Sequence, residues 1–160
     1  MPASLAFEEY LEALDKSGRR LADVATEAGM RAPVPTCPDW ATDALVAHQA
    51  MVHRWATAHL RGEDPDRVPN QTEIRETVGD LIGYYREGHA ALIAALADAA
   101  PDIQAMTFLH DSPAPREFWA RRQAHETTIH MVDALAASVG RLPTSVEAGI
   151  ETALSVDGIH

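Results

Sequence analysis

The stretch PREFWARRQAHETTIHMVDALAAS, Pro115–Ser138, is the part of the sequence that most clearly predicts the fold. It opens with a proline, which suits the first turn of a helix, and it stops just before Gly140, a typical helix end. Its apolar residues recur at helical spacing. The stretch therefore predicts a long helix that carries Glu126 and His130, four residues apart, on one face.

Four further segments show helical periodicity between capping residues and helix-ending glycines or prolines. They run from a Ser4 cap to Gly29, from Asp39 or Thr42 to just before Gly62, from a Thr72 cap to Pro101, and from Thr144 or Ser145 onwards. The third of these contains Gly79, Gly83 and Gly88, which should weaken the helix without breaking it. The loop between the first two, up to Trp40, is proline-rich and predicted to be extended. We therefore predict an all-α fold, a four-helix bundle with a short extra C-terminal helix.

The composition is acidic and poor in cysteine. A length of 160 residues suits one domain with its own core, and 13 Lys and Arg against 24 Asp and Glu give a net charge of -11. This charge argues against nucleic acid and anionic membrane surfaces as partners. The only cysteine, Cys37, excludes an internal disulfide and suits a reducing cytoplasm. With no secretory signal and no run of about 18 apolar residues, we expect one cytoplasmic domain over residues 1–160.

A candidate metal site joins this long helix to the second one. There, DALVAHQAMVHRW, residues 43–55, places His48 on an apolar line that is predicted to turn inward. His48, Glu126 and His130 can together hold one divalent metal ion and leave a coordination position open. Asp133, one turn after His130, can orient its imidazole. The spacing alone also suits a solvated helix face and an ordinary core histidine, so these interpretations stay open at this point.

Other polar residues of these helices have alternative roles. Arg122 lies one turn before Glu126 and can pair with its carboxylate or bind an anionic substrate, a role for which Arg54 is the second candidate. His125 is an alternative ligand, although its spacing of five residues to His130 suits a shared helix face less well. Cys37 is expected to be a small buried filler, His53 to lie around the site or at a cap, and the tryptophans to form core or pocket wall. The remaining histidines are expected on the surface or in loops, namely His59, His89 and His110.

Two separated regions of the sequence resemble the two signatures of a known family. CPDW at 37–40, LVAH at 45–48 and HRW at 53–55 are similar to the first signature of the mycothiol-dependent maleylpyruvate isomerases, and RQAHETTIHMVD at 122–133 to the second. DGI at 157–159 resembles the segment that follows. The resemblance implies a DinB/YfiT-like four-helix bundle with a divalent metal ion, often zinc, held by His48, Glu126 and His130. Departures from the family wording at Asp39, Ala41 and Gln49 affect none of these positions.

The resemblance also implies a chemistry. Mycothiol would be the thiol co-substrate, and a small electrophile or unsaturated acid its partner in an isomerase or transferase reaction. The C-terminal domain that helps to shape the site in this family is expected to be absent from these 160 residues, so maleylpyruvate itself is not the expected substrate. Two alternatives stay open: a non-catalytic metal-binding or structural bundle, which could be a homodimer, and a metal-dependent hydrolase. Two histidines and a carboxylate also suit Fe, Ni or Mn.

Overall fold

Six α-helices make up the secondary structure of the described part of the chain. The computed structural model describes residues 5–150, Leu154 and Asp157. The helices are α1 (Phe7–Ala28), α2 (Thr42–Arg61), α3 (Gln71–Thr77), α4 (Leu81–Asp98), α5 (Pro115–Val139) and α6 (Ser145–Ala148), with a 3-10 turn at Pro65–Arg67. The long helices α1, α2, α4 and α5 form a bundle in which α5 packs chiefly on α1 and α2 chiefly on α4. The predicted all-α bundle with a short C-terminal helix is confirmed.

The predicted helix ends are also confirmed where glycine permits a backbone that other residues rarely adopt. Gly62 and Gly140 end α2 and α5 with φ of 67° and 72°, in the left-handed region. At the start of α1, the predicted cap Ser4 lies outside the described residues. The N-cap of α1 is Ala6, whose backbone N–H donates to the Glu9 carboxylate at 2.7 Å. No helix in the described part of the chain is both long and apolar enough to cross a membrane.

The predicted third helix is wrong as a single element, because it breaks between α3 and α4. Asn70, rather than Thr72, caps α3 and accepts a hydrogen bond from a backbone N–H of its first turn. Asp80 caps α4 and accepts from the Gly83 N–H at 2.9 Å. A strong cap at Asp80 stabilises a new helix start, and Gly79 just before it carries the entropic cost of a helical glycine, about 1 kcal/mol. Together these effects favour a break over a continuous helix.

The interior has two apolar clusters separated by polar side chains. Leu21, Leu45 and Tyr85 belong to one cluster, and Leu14 and Trp119 to the other. At the intervening positions of the four long helices lies a set of buried polar residues that we call the polar layer: Ser17, Gln49, His53, His89, Gln123, Thr127 and Thr128. The bundle therefore has a polar cross-section in the middle of its core.

One histidine of the polar layer corrects the sequence analysis, and a second is buried beside it. His89 was expected on the surface, yet only 6% of it is exposed, and His53 is fully buried. The His89 Nε2 lies 3.1 Å from the Leu14 carbonyl oxygen, which partners it across the bundle. Burial, followed by the charges of His89 and Arg54, holds the pKa of His53 well below its ordinary value. His53 is therefore a neutral core side chain.

Asp157 ties the C-terminal part of the described chain to the bundle. Its buried Oδ2 accepts hydrogen bonds from the Tyr10 hydroxyl at 2.8 Å and from Arg121 Nε at 3.0 Å. The His125 Nε2 lies 2.7 Å from the same oxygen. One carboxylate thus connects α1 and α5, and it engages the imidazole that was the alternative metal ligand.

This contact predicts an unusual titration of Tyr10. Burial and the hydrogen bond to Asp157 raise the pKa of Tyr10 to about 12. Because the folded pKa exceeds the ordinary value of about 10, neutral Tyr10 stabilises the fold below pH ~10, and this contribution is lost as the pH rises through about 12. Absorbance at 295 nm should show a tyrosine step near pH 12 that is missing in Tyr10→Phe. A wild-type titration with Tyr10 ionised near pH 10 while helical circular dichroism persists would contradict the prediction.

Candidate metal centre

Helices α2 and α5 bring His48, Glu126 and His130 together. Glu126 and His130 lie on one turn of α5, and His48 approaches from α2. The Nε2 atoms of His48 and His130 are 3.5 Å and 3.4 Å from the same oxygen, Glu126 Oε1. One possible ligand atom from each residue lies within 4.8 Å of the other two. The structure thus joins the three residues that the sequence analysis selected; we call them the triad.

The spacing suits a zinc ion. Nitrogen and oxygen ligands lie about 2.0–2.2 Å from a tetrahedral zinc, so two of them are roughly 3.3–3.5 Å apart. The two measured distances from Glu126 Oε1 agree with this value. Each side chain of the triad is 15–22% exposed, so the donors are held by the protein and remain reachable from outside. Two imidazoles and one carboxylate also leave a tetrahedral position free.

His48 lies at the edge of the buried face of α2. The predicted inward line of α2 is confirmed at Leu45 and Ala56, which are fully buried, whereas His48 and Val52 on the same line are only half-buried. Between them, the fully buried positions are Gln49 and His53. His48 therefore lies at the margin of the buried face, where its side chain stays 22% exposed.

The pKa shifts in the triad describe two ionised carboxylates beside an imidazole that holds its proton. Hydrogen bonds with His130 and His48 hold the pKa of Glu126 far below its ordinary range, against the opposing effect of burial. Burial disfavours protonation of His130, but its hydrogen bonds with Asp133 and Glu126 outweigh this and raise its pKa to about 9. Burial likewise opposes ionisation of Asp133, and the hydrogen bond with His130 nevertheless lowers its pKa. Two ionised carboxylates thus flank the imidazoles.

Asp133 orients the imidazole of His130. Its Oδ2 lies 2.9 Å from His130 Nδ1, as predicted, and this contact leaves Nε2 directed towards Glu126. Asp133 also contacts Cys37, whose Sγ is 3.9 Å from the same oxygen. Burial and the Asp133 charge raise the pKa of Cys37, which keeps it a thiol at neutral pH. Cys37 is therefore a half-buried thiol that packs beside Asp133. We expected a small buried side chain, and the structure places it at partial burial.

Trp40 forms a wall beside both imidazoles. Its ring centroid lies 5.1 Å from that of His48 and 6.0 Å from that of His130. The proline-rich loop before α2 is folded back on itself, not extended as predicted, because Val34 N–H donates to the Trp40 carbonyl at 3.0 Å. A bridge between Pro33 and Ala41 closes the same turn. A turn closed by pairing between Val34 and Trp40 and between Pro33 and Ala41 is not indicated by the prolines alone.

The candidate anion-binding arginines have different surroundings. Arg122 donates to Glu126 Oε2 at 2.6 Å, so the first of its two predicted roles is the one that the structure displays. This pairing leaves Oε1 to the two imidazoles. Arg54 donates to the Tyr84 carbonyl at 2.8 Å and lies over the Tyr84 ring, which places it against α4. Of the two, only Arg122 borders the triad.

The fold and the triad together are similar to an arrangement found in one class of helical bundle. Two histidines and a carboxylate that project from facing helices of a bundle are typical of bundle proteins with a metal centre in their core. The family model of the mycothiol maleylpyruvate isomerase N-terminal domain matches residues 11–135, and the chain belongs to this family. The matched range contains both signature words and the whole triad. No curated protein and no solved structure matches the chain significantly.

Proposed function

We propose that this chain is a zinc-binding domain that uses mycothiol as a thiol co-substrate in an isomerase or transferase reaction on a small electrophile or unsaturated acid. The observation that supports this most directly is the approach of two imidazole Nε2 atoms to one carboxylate oxygen at 3.4–3.5 Å. Membership of a mycothiol-related family supports the choice of thiol. The proposal treats residues 1–160 as one metal-binding domain and places it in the cytoplasm, where a thiol stays reduced.

The residues of the site would have three different roles: metal binding, orientation of a ligand and contact with the substrate. His48, Glu126 and His130 would hold the metal ion, and Asp133 would fix the His130 ring. A divalent metal ion lowers the pKa of a thiol that binds it, so that the nucleophilic thiolate is available near neutral pH. Arg122 is 47% exposed and uses one of its five N–H groups on Glu126, which leaves donors for a substrate carboxylate. In this role Arg122 would be the catalytic residue that contacts substrate.

The proposed isomerisation is an addition followed by its reversal. The thiolate sulfur forms a bond to one carbon of a conjugated cis double bond, and the π electron pair moves onto the neighbouring carbonyl group. The former double bond is now single and can rotate. Return of the electron pair then expels the thiolate and leaves the trans isomer. In a transfer reaction, the thiolate displaces a leaving group from an electrophilic carbon, and the new carbon–sulfur bond remains.

The first test is metal-dependent stability. We expect the purified protein to bind about one zinc ion per chain. Zinc at 100 times its Kd should stabilise the fold by about 2.7 kcal/mol, which corresponds to a rise in Tm of roughly 5–11 °C for a chain of this size. Differential scanning calorimetry with zinc, with zinc plus EDTA, and with magnesium as the matched control measures this. Equal melting curves in all three conditions would refute the metal site.

The second test is thiol dependence. A conjugated cis-unsaturated acid and an alkylating electrophile should each be consumed by the zinc-loaded protein only when mycothiol is present, as monitored by liquid chromatography. Turnover that needs zinc but no thiol would instead identify a metal-dependent hydrolase. Zinc binding without any turnover would identify a non-catalytic metal-binding bundle. The thiol-dependent reaction should also slow in Arg122→Gln, which keeps a polar side chain but removes the charge.

A further inference from the structure

Each helix that carries the triad places a polar residue in the core directly after a ligand. Gln49 follows His48 on α2, and Thr127 follows Glu126 on α5. Both Gln49 and Thr127 are fully buried, as is His53 one turn further along α2. Adjacent residues on a helix point about 100° apart, so a ligand at the edge of the bundle puts its neighbour inside. The polar layer thus lies directly beneath the triad.

The polar atoms of Gln49, His53 and Thr127 lie within hydrogen-bond distance of one another between α2 and α5, and we call this set the triangle. The single lone pair of His53 Nε2 accepts from one neighbour at a time, so the contacts that cross between the helices are the ones that can form together: Gln49 Nε2 donates to Thr127 Oγ1, and the Thr127 hydroxyl donates to His53 Nε2. Gln49 Nε2 is 3.0 Å from Thr127 Oγ1 and 3.0 Å from His53 Nε2. The third side, from His53 Nε2 to Thr127 Oγ1, measures 2.9 Å. Two residues of α2 are therefore joined to one residue of α5 by directional contacts at the level of the triad.

This triangle is poorly explained as a source of stability. Gln49 Oε1 and His53 Nδ1 are buried and have no hydrogen-bond partner among the described residues. Each such group costs about 1–3 kcal/mol, and an apolar set of the same shape would avoid that cost. What a buried polar contact adds is direction, because a hydrogen bond weakens steeply away from its preferred distance and angle.

The placement of α2 on α5 needs such a contact. The main packing partner of α5 is α1, and that of α2 is α4, so the two helices that carry the triad are not each other's closest neighbours. His53 also packs against the rings of Tyr85 and His89 on α4, with centroid distances of 5.4 Å and 5.5 Å. The triangle therefore packs against α4 as well, through His53.

We propose that Gln49, His53 and Thr127 are positioning residues of the metal centre. They fix α2 against α5 and so set the separation between His48 and the Glu126–His130 pair. This inference rests on the proposed metal site. It concerns geometry and affinity for the metal ion, which can be measured without a substrate.

The test compares two adjacent threonines of α5. Thr127→Val removes the hydroxyl from the triangle, and Thr128→Val removes a buried hydroxyl that has no partner among the described residues. We expect Thr127→Val to weaken zinc binding by about 10-fold, the lower end of the range for residues that support metal ligands, and to alter the visible spectrum of the cobalt-substituted protein. Thr128→Val should leave both unchanged, and Thr127→Ser should restore both. Zinc affinity is measured by competition with a chromophoric chelator.

The outcomes separate the inference from the function on which it rests. If wild type binds no zinc or cobalt, the proposed function and the inference both fail. If wild type binds but Thr127→Val keeps its affinity and cobalt spectrum, the inference alone is overturned, even where the variant is less stable. Should Thr127→Val not fold, Gln49→Leu carries the same test from the other helix. An unchanged cobalt spectrum in folded Gln49→Leu would overturn the inference equally.

Discussion

Replacement of Glu126 by alanine should abolish stoichiometric zinc binding. Glu126 Oε1 is the atom that both imidazoles approach, at 3.5 Å and 3.4 Å, and in the proposed site its negative charge would offset the charge of the cation. Its loss leaves two histidines without the carboxylate that completes the site. We expect the affinity for zinc to fall by more than about 100-fold, because even residues that only support a ligand contribute about 10–100-fold. Metal analysis after dialysis and competition titration measure this.

A histidine next to the triad supplies the control. His125 precedes Glu126 on α5, but its imidazole lies on Asp157 at 2.7 Å. His125→Ala should therefore retain about one zinc ion per chain, whereas His48→Ala should lose it as Glu126→Ala does. Equal zinc content in the three variants and wild type would show that the triad does not hold the metal. Loss of zinc in His125→Ala alone would move the site to the neighbouring residue.

The fold was predictable wherever local chemistry decides it. Helix ends at Gly62 and Gly140 follow from the conformational freedom of glycine, and the long α5 follows from its spacing and its N-terminal proline. The break at Gly79 depends on whether two separately capped helices, α3 and α4, are more stable than one continuous helix. Gly79 is visible in the sequence, but the stabilisation that the Asp80 cap gives to a new helix start is not.

The triad was predictable for a different reason. Spacing put Glu126 and His130 on one helix face, but only the family words tied them to His48 on another helix. Helical spacing does not predict that His53 and His89 are core residues, because a buried histidine needs hydrogen-bond partners in the core. Those partners, such as the Leu14 carbonyl for His89, come from helices distant in sequence. Tertiary contacts of this kind are invisible in a single helix pattern.

Gly18→Ala should destabilise the fold, contrary to the usual effect of this substitution in a helix. A Cβ atom at Gly18 would lie 2.2 Å from Nε2 and 2.3 Å from Cδ2 of the His89 ring. The ring cannot withdraw freely, because it is bonded to the Leu14 carbonyl and packs against His53 and Tyr85. Overpacking of this kind costs about 1–3 kcal/mol, which exceeds the gain of about 1 kcal/mol from replacing a helical glycine. Urea denaturation followed by circular dichroism measures the free energy of unfolding.

Gly79→Ala is the matched control for that experiment, because a Cβ atom there meets no heavy atom within 4 Å and its φ is not in the left-handed region. It should stabilise the protein by about 0.4–1 kcal/mol through the unfolded chain. Combining Gly18→Ala with His89→Ala tests the cause directly. If the ring is the obstacle, the double variant loses less stability than the sum of the two single changes, by about 0.5–3 kcal/mol. Strict additivity, or a Gly18→Ala protein as stable as wild type, would show that His89 does not require glycine at this position of α1.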